Sequence, residues 1–554
     1  MMFAPLVSGL RKLRTGIVVT SRYFLLPLLL CLATPQQAQT APLPHLVSKE
    51  GKHALFVDGA PFLILGAQTN NSSNYASVLP QVWPTVHALH VNTLEIPVAW
   101  EQIEQAEGRF DFSWVDTLLA QARANGVRLV PLWFGTWKNT NPQYTPQWVK
   151  ADTKRFPREI APDGSTHWVL SAHGRATLAA DKKAFAALMR HVREVDPQHT
   201  IIMVQVENET GSYGIPRDFS PVAQRLFAQS IPAELAKRVN KNGTWSQAFG
   251  STADQAFNAW HIARYVDEIV AAGKAELDLP MYVNASLTDP FTIEGVEHGA
   301  SGGPNWNVID IWKVAAPHVD VEAPDIYTSD QRKYAKYIEH YSRADNPLFI
   351  PETGNDAAFA RFFWLALGNG TIGWSPFGMD ATGYFNFPLG AKELGAETLG
   401  AFESKFKLIA PIARDWARLA YEHPTAGFAK AEDASDETVV LGRWKITAKY
   451  GFWQFGLEDW AKSATSPNKE LPVGGAALIQ LGPDEFLVAG SDVRVRFSLD
   501  KAAAGESSQF LDVEEGTFVR GQWQMARRWN GDQVDYGLNL AAPTLLKIRL
   551  GTYR

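Results

Sequence analysis

Ile201-Ile202-Met203-Val204-Gln205-Val206-Glu207-Asn208-Glu209 runs from an unbroken apolar stretch into an amide flanked by two carboxylates. A run rich in Ile and Val reads as a strand buried on both faces, the kind that parallel sheets use. Ionised carboxylates are costly to bury, so a pair at the end of such a strand marks a polar site at the sheet's edge.

Seven further apolar runs share this character: Phe62–Gln68, Val91–Trp100, Val127–Trp133, Met281–Ala285, Val319–Tyr327, Leu348–Glu352 and Thr371–Phe377. Helical spacing separates them, around Val82–Leu89, Trp114–Asn125, Lys182–Val195, Asp254–Ala275, Gln331–Tyr341 and Ala357–Leu367, with a last helix over Ala391–Ala417. Eight strand-then-helix units predict a closed (β/α)8 TIM barrel over residues 45–418. An open doubly wound sheet is the alternative, but Gln68-Thr-Asn-Asn stands where its glycine-rich first turn would be. The loop Gly299–Asn305 has glycines but no Lys-Ser/Thr pair, and reads as a plain loop. From residue 425 to 554 short strands alternate with turn residues, which predicts an antiparallel β-sandwich. Trp453, Trp460 and Trp529 in that region read either as core or as carbohydrate contacts.

The 554 residues exceed one ordinary domain, and 46% hydrophobic with 20% charged residues fits a globular chain. Basic residues Arg11, Lys12, Arg14 and Arg22 precede the apolar run Phe24–Ala33, and small residues follow at Ala38 and Ala41. This predicts a signal peptide and leader over residues 1–41 and an exported protein, periplasmic or secreted. An uncleaved anchor or a lipid attached at Cys31 are the alternatives. Cys31 is the only cysteine, so the mature chain would have neither a disulfide nor a thiolate site. Cleavage would move the net charge from −6 to −10, which argues against a nucleic acid partner. No later apolar run reaches membrane-spanning length, and the oligomeric state is not readable.

In a parallel barrel the C-terminal strand ends converge on one mouth. Here those ends supply Gln68, Asn70, Trp100, Glu101, Trp133, Trp137, Asn208, Glu209, Asn284, Tyr327, Glu352 and Trp374. The set has no His pair, no cysteine and no Gly-x-Ser-x-Gly elbow, so no metal or cofactor is implied. Amides, aromatic rings and two carboxylates suit hydrolysis of a glycosidic bond. Strands four and seven lie across such a barrel, so Glu209 and Glu352 can face each other over a sugar. A separation of about 5–5.5 Å gives retention of configuration, and a wider one gives inversion. Asn208 is placed to meet the hydroxyl beside the anomeric carbon, and Tyr327 to donate to Glu352. A charged Glu352 would hold the proton on Glu209, making Glu209 the acid/base and Glu352 the nucleophile. Asn284, Trp374, Gln68 and Trp137 are the further sugar-contact candidates. Glu207, two residues before Glu209, is expected on the same face one layer deeper, as support.

Gln205-Val-Glu-Asn-Glu-Thr-Gly-Ser-Tyr-Gly214, Asn92–Trp100 continuing to Glu107-Gly-Arg-Phe-Asp-Phe112, and Pro351-Glu-Thr-Gly354 resemble segments of glycoside hydrolase family 35, the β-galactosidases of clan A. The resemblance covers residues 45–415 and implies that Glu209 is the proton donor and Glu352 the nucleophile. Two segments depart from the family pattern. Glu101-Gln-Ile-Glu104 follows the second-strand Trp, and Gly135-Thr-Trp137-Lys-Asn139 stands where Ala-Glu-Trp is usual. The chain looks like a bacterial branch acting on galactose-bearing plant polysaccharide fragments such as xyloglucan oligosaccharides. The implied activity is retaining exo-hydrolysis of terminal non-reducing β-D-galactosyl residues. Another clan A β-glycosidase, β-glucosidase or mannan-directed, and an inactive polysaccharide-binding protein are the alternatives.

Overall fold

Each apolar run finds its partner in the next, and the eighth returns to the first. The computed structural model describes residues 42–293, 299–450 and 470–554, and residue 16. The leader assigned to residues 1–41, with Cys31, and Trp453 and Trp460 therefore lie outside the described residues. The barrel strands are β1 (Ile64–Gln68), β2 (Thr93–Ala99), β3 (Arg128–Lys138), β4 (Val204–Asn208), β5 (Met281–Ser286), β6 (Val321–Ile326), β7 (Phe349–Thr353) and β8 (Gly373–Pro376). They pair in parallel in chain order, and β8 closes on β1. That is a TIM barrel, not an open sheet.

Helices follow the strands: α1 (Leu79–Ala88), α2 (Ser113–Asn125), α3 (Arg175–Val195), α4 (Ala253–Glu276), α5 (Ile309–Ala315), α6 (Gln331–Tyr341), α7 (Phe362–Gly368) and α8 (Ala396–Ile409). α3 starts well before Lys182, because Leu178 and Asp181 are also buried on its inner face. The helix expected over 391–417 is two, α8 and α9 (Ala413–Glu422), joined by a 3-10 turn at Ala410–Ile412. Pro411 lies in that turn, where it removes a backbone donor.

A three-stranded antiparallel sheet over His45–Phe62 went unforeseen. Its Leu55, Val57 and Phe62 join Ile64, Val130 and Phe349 in one apolar cluster, so the sheet plugs the barrel's lower end.

The C-terminal region is two antiparallel sheets, as expected. Its strands are β9 (Thr425–Ala429), β10 (Glu437–Leu441), β11 (Trp444–Lys449), β12 (Gly475–Gly482), β13 (Glu485–Ser491), β14 (Val493–Leu499), β15 (Ser507–Val519), β16 (Gln522–Arg528), β17 (Leu538–Leu540) and β18 (Thr544–Tyr553). One sheet runs β9-β12-β13-β18-β15-β16 and the other β10-β11-β14-β17, around a core that holds Trp444, Phe486 and Leu546. Trp529 belongs to that core, where its ring nitrogen donates to Glu515, so it packs and is not a sugar platform.

α7 lies directly on β9. A side chain at Gly368 would place its Cβ 2.2 Å from the backbone of Gly427, so only glycine allows that approach. Beside it, buried Arg361 donates to the carbonyls of Ser329, Ala358 and Pro472 and to Glu432, tying the barrel to the sheets. Arg361→Ala removes these four hydrogen bonds and is expected to destabilise the protein by about 3 kcal/mol, read by denaturant melting. Among the described residues no helix is long and apolar enough to cross a membrane, and no group of side chains could hold a metal ion.

Candidate active site

The end of β4 leaves regular strand geometry. Glu207 has φ 63° and Glu209 φ 44°, both in the left-handed region that non-glycine residues rarely adopt. This overturns the expected alternation for Glu207. Its carboxyl does not sit beneath Glu209 but accepts from the backbone amides of Thr136 at 3.1 Å and Trp137 at 2.7 Å, against Asp181 of α3. Those amides lie where β3 slips register against β4, so they lack a strand partner. A Cβ on Gly135 would be 2.7 Å from the Glu207 carboxylate, so a side chain there would evict it. Burial, then the charge of Asp181, pushes Glu207 well above the usual carboxylate range. Burial raises Asp181 as well, so both carboxyls of the pair favour the protonated form.

With the backbone turned this way, Glu209 enters a cavity of about 570 Å³ at the barrel mouth. Glu352, Tyr327, Asp325, Lys138 and Tyr213 line the same cavity. Glu352 accepts from Gln68 Nε2 at 2.9 Å and from the Tyr327 hydroxyl. Glu209 is held from its main chain, where its amide donates to Asn284 Oδ1 at 3.0 Å. Asn284 Nδ2 donates in turn to Asp325 Oδ2 at 2.7 Å. Burial, then the negative charge of Glu352, raises Glu209 to about 7, although Lys138 and a hydrogen bond with Asp325 pull the other way. Asp325 is raised well above its ordinary value by burial and by the charges of Glu352 and Glu209. The cavity thus sets Glu209, whose proton is held by burial and a neighbouring negative charge, beside Glu352 with a donor on each oxygen. A proton can be given and an electron pair supplied at one place, with no metal needed for either step.

The sequence candidates divide into three sets. Glu209, Glu352 and Tyr327 line the cavity. Asn208, Asn284 and Gln68 stand just behind it. Asn208 Oδ1 accepts from Lys138 Nζ at 2.8 Å, and its buried Nδ2 has no partner among the described residues. Trp137 and Trp374 are corrections. Trp137 is buried against Tyr265 and donates to the Leu170 carbonyl. Trp374 is fully buried against Phe363, Phe402 and Phe406 and donates to Tyr334. On β8 it is Ser375, not Trp374, that faces inward, where it bonds Glu95. Glu101, another strand end, turns to the surface and pairs with Lys150.

Asp325 and Lys138 were missed as site residues. In the run Val319–Tyr327, Asp325 precedes Tyr327 by two positions, the spacing that puts both on one face of an extended segment, so the signal was present. Lys138 is reached because β3 runs on to residue 138 beyond its apolar stretch, and no local pattern marks that extension.

Comparison with known proteins adds two family matches. The glycoside hydrolase family 42 model, described as beta-galactosidase, matches residues 77–344. A model described as a domain of unknown function (DUF5597) matches residues 402–541. No curated protein matches. Among solved structures, a β-galactosidase from the psychrophilic Marinomonas ef1 is 11% identical, with a TM-score of 0.46 over 65% of this chain and 62% of that one. A cold-adapted β-galactosidase from Rahnella sp. R3 is 14% identical, with a TM-score of 0.44 over 65% and 61%. The catalytic domain of a β-amylase from Paenibacillus polymyxa is 13% identical, with a TM-score of 0.42 over 56% and 91%. The chain thus spans about three fifths of the length of the two β-galactosidases, 62% and 61%. The motifs resemble family 35 whereas the matching model is family 42, and the grouping common to both is the clan A β-galactosidases. Over residues 77–344 the barrel is thus similar to glycoside hydrolases of the β-galactosidase type.

Proposed function

We propose that this protein is a retaining exo-β-galactosidase that removes terminal non-reducing β-D-galactosyl residues. The observation that carries the reading is the shared cavity, in which a protonated Glu209 and a donor-braced Glu352 meet. Glu352 attacks the anomeric carbon as Glu209 passes its proton to the departing oxygen, leaving a galactosyl ester on Glu352. Esterification removes the charge that kept Glu209 protonated. Glu209 then takes a proton from water, which attacks the ester and releases galactose with its configuration retained. The unpartnered Nδ2 of Asn208 suits a sugar hydroxyl beside the reacting carbon. The family 35 motifs favour plant oligosaccharides of the xyloglucan type as natural substrates, and the basic, apolar leader favours export.

The deciding experiment incubates the protein with aryl galactosides, lactose and galactosylated xyloglucan oligosaccharides. Galactose appearing first as the β-anomer by NMR is the expected result. Release of glucose or mannose alone, α-galactose as first product, or tight binding without any release would each overturn it.

A pH profile follows from Glu209. The first step needs its proton, so kcat/KM is expected to hold below the raised value of about 7 and to fall tenfold per unit above it. Lys138 favours the charged form, so Lys138→Met removes that pull and should move the alkaline limb upward. A limb that stays flat to pH 9, on the order of two units higher, would exclude Glu209 as the titrating acid.

A further inference from the structure

The loop that follows β8 exposes apolar side chains beside a polar cavity. Tyr384 is 59% exposed, Phe385 43%, Phe387 58% and Leu389 50%. Large rings left in water forgo the burial that usually accounts for their presence, and grouped exposure marks a contact surface. The loop is braced at its two ends. Asp380 accepts from the amide of Asn70 at 2.7 Å and from the Ser73 hydroxyl at 2.8 Å. Asn355, three residues after Glu352, accepts from the amide of Ala391 at 2.8 Å. Gly390 has no room for a Cβ, which would lie 2.2 Å from Asn355 Oδ1. The segment that carries the exposed rings is therefore anchored at both ends to the βα loops after β1 and β7.

Beyond Leu389 a second cavity of about 390 Å³ opens, with Phe387 in its wall. Leu389 borders both this cavity and the one that holds the carboxylates. Cavities of roughly 300–1,000 Å³ take ligands of drug size, so the first alone exceeds the needs of one sugar. Lys392 Nζ lies 4.9 Å from the centre of the Phe387 ring. Asp356, Ser329 and Glu393 supply hydrogen-bonding groups in the same wall. A ligand for such a wall has a C–H face for the ring and hydroxyls around its edge, and carries no need for charge.

We propose that the Tyr384–Lys392 loop is a platform for the leaving-group chain, so that the preferred substrate is a galactosylated oligosaccharide of several sugars rather than a small galactoside. Phe387 stacks on a sugar beyond the scissile bond, and Leu389 is the step between the two cavities. This rests on the galactosidase reading above, and its continuity with the carboxylate cavity is what selects a carbohydrate over a protein partner or a second copy of this chain.

The test compares kcat/KM for p-nitrophenyl β-galactoside, lactose, a β-1,4-linked galactotetraose and galactosylated xyloglucan oligosaccharides. Wild type should favour at least one of the two longer substrates over lactose. Phe387→Ala should lower the ratio of that kcat/KM to the aryl galactoside value by about tenfold, and Phe387→Tyr, which keeps a ring, should restore it. No preference for length, or a ratio unmoved by Phe387→Ala, overturns the platform while leaving the galactosidase reading intact. Failure to cleave the aryl galactoside at all overturns that reading instead. Concentration-dependent dimers that Phe387→Ala dissolves would assign the patch to a second copy and overturn the proposal.

Discussion

Glu352→Ala is expected to lower kcat on an aryl β-galactoside by about four orders of magnitude or more, because the covalent route is lost and water has no equivalent path. The environment of Glu352 gives the reason. Gln68 and Tyr327 donate to its two oxygens and hold them at fixed positions. Shortening the side chain leaves a small void on the face of the sugar where the carboxylate stood. Azide can enter it, and should restore turnover with α-galactosyl azide as product, since attack from that face inverts a β-galactoside once. Thermal melting should stay close to wild type, which separates loss of chemistry from loss of fold. Undiminished turnover without azide, or a β-azide product, would remove Glu352 from the nucleophile's role.

Glu209→Ala is expected to split substrates by leaving group. General acid assistance supplies roughly 10²–10⁴-fold, and an activated phenolate departs with little need of it. Lactose hydrolysis should therefore fall by about three orders of magnitude, while the first step on a dinitrophenyl galactoside stays near wild type. The second step still lacks its base, so a burst of phenolate should precede slow turnover. Azide here attacks the galactosyl ester on Glu352 from the opposite face and should yield β-galactosyl azide. The two variants thus give azides of opposite configuration, and identical products from both would refute the division of roles.

Much of the barrel was legible because strands buried on both faces have no polar residues to break the run. Ile201–Val204 and Leu348–Pro351 carry that signal without ambiguity. The plug over His45–Phe62 escaped because its strands are short and half exposed, so they alternate weakly. In the site, Glu209 and Glu352 were legible from their places at strand ends. Glu207, Trp137 and Trp374 were not, because a side chain's face follows from backbone parity. Two left-handed residues at the end of β4 and a slipped register in β3 reset that parity, and nothing local in the sequence announces either. Trp374 is the plainer case, since β8 has a residue for each side and the small Ser375 is the one that fits the interior.

The glycine-to-glycine seam between α7 and β9 bears on how such a protein can change over time. α7 descends from the strand that carries Glu352, so the C-terminal sheets buttress the floor on which that carboxylate stands. A recombinant that joined this barrel to a foreign tail would meet a mismatched surface where two bare backbones must touch. Barrel and tail are therefore expected to be inherited as a single piece, with variation in specificity confined to the loops at the opposite rim.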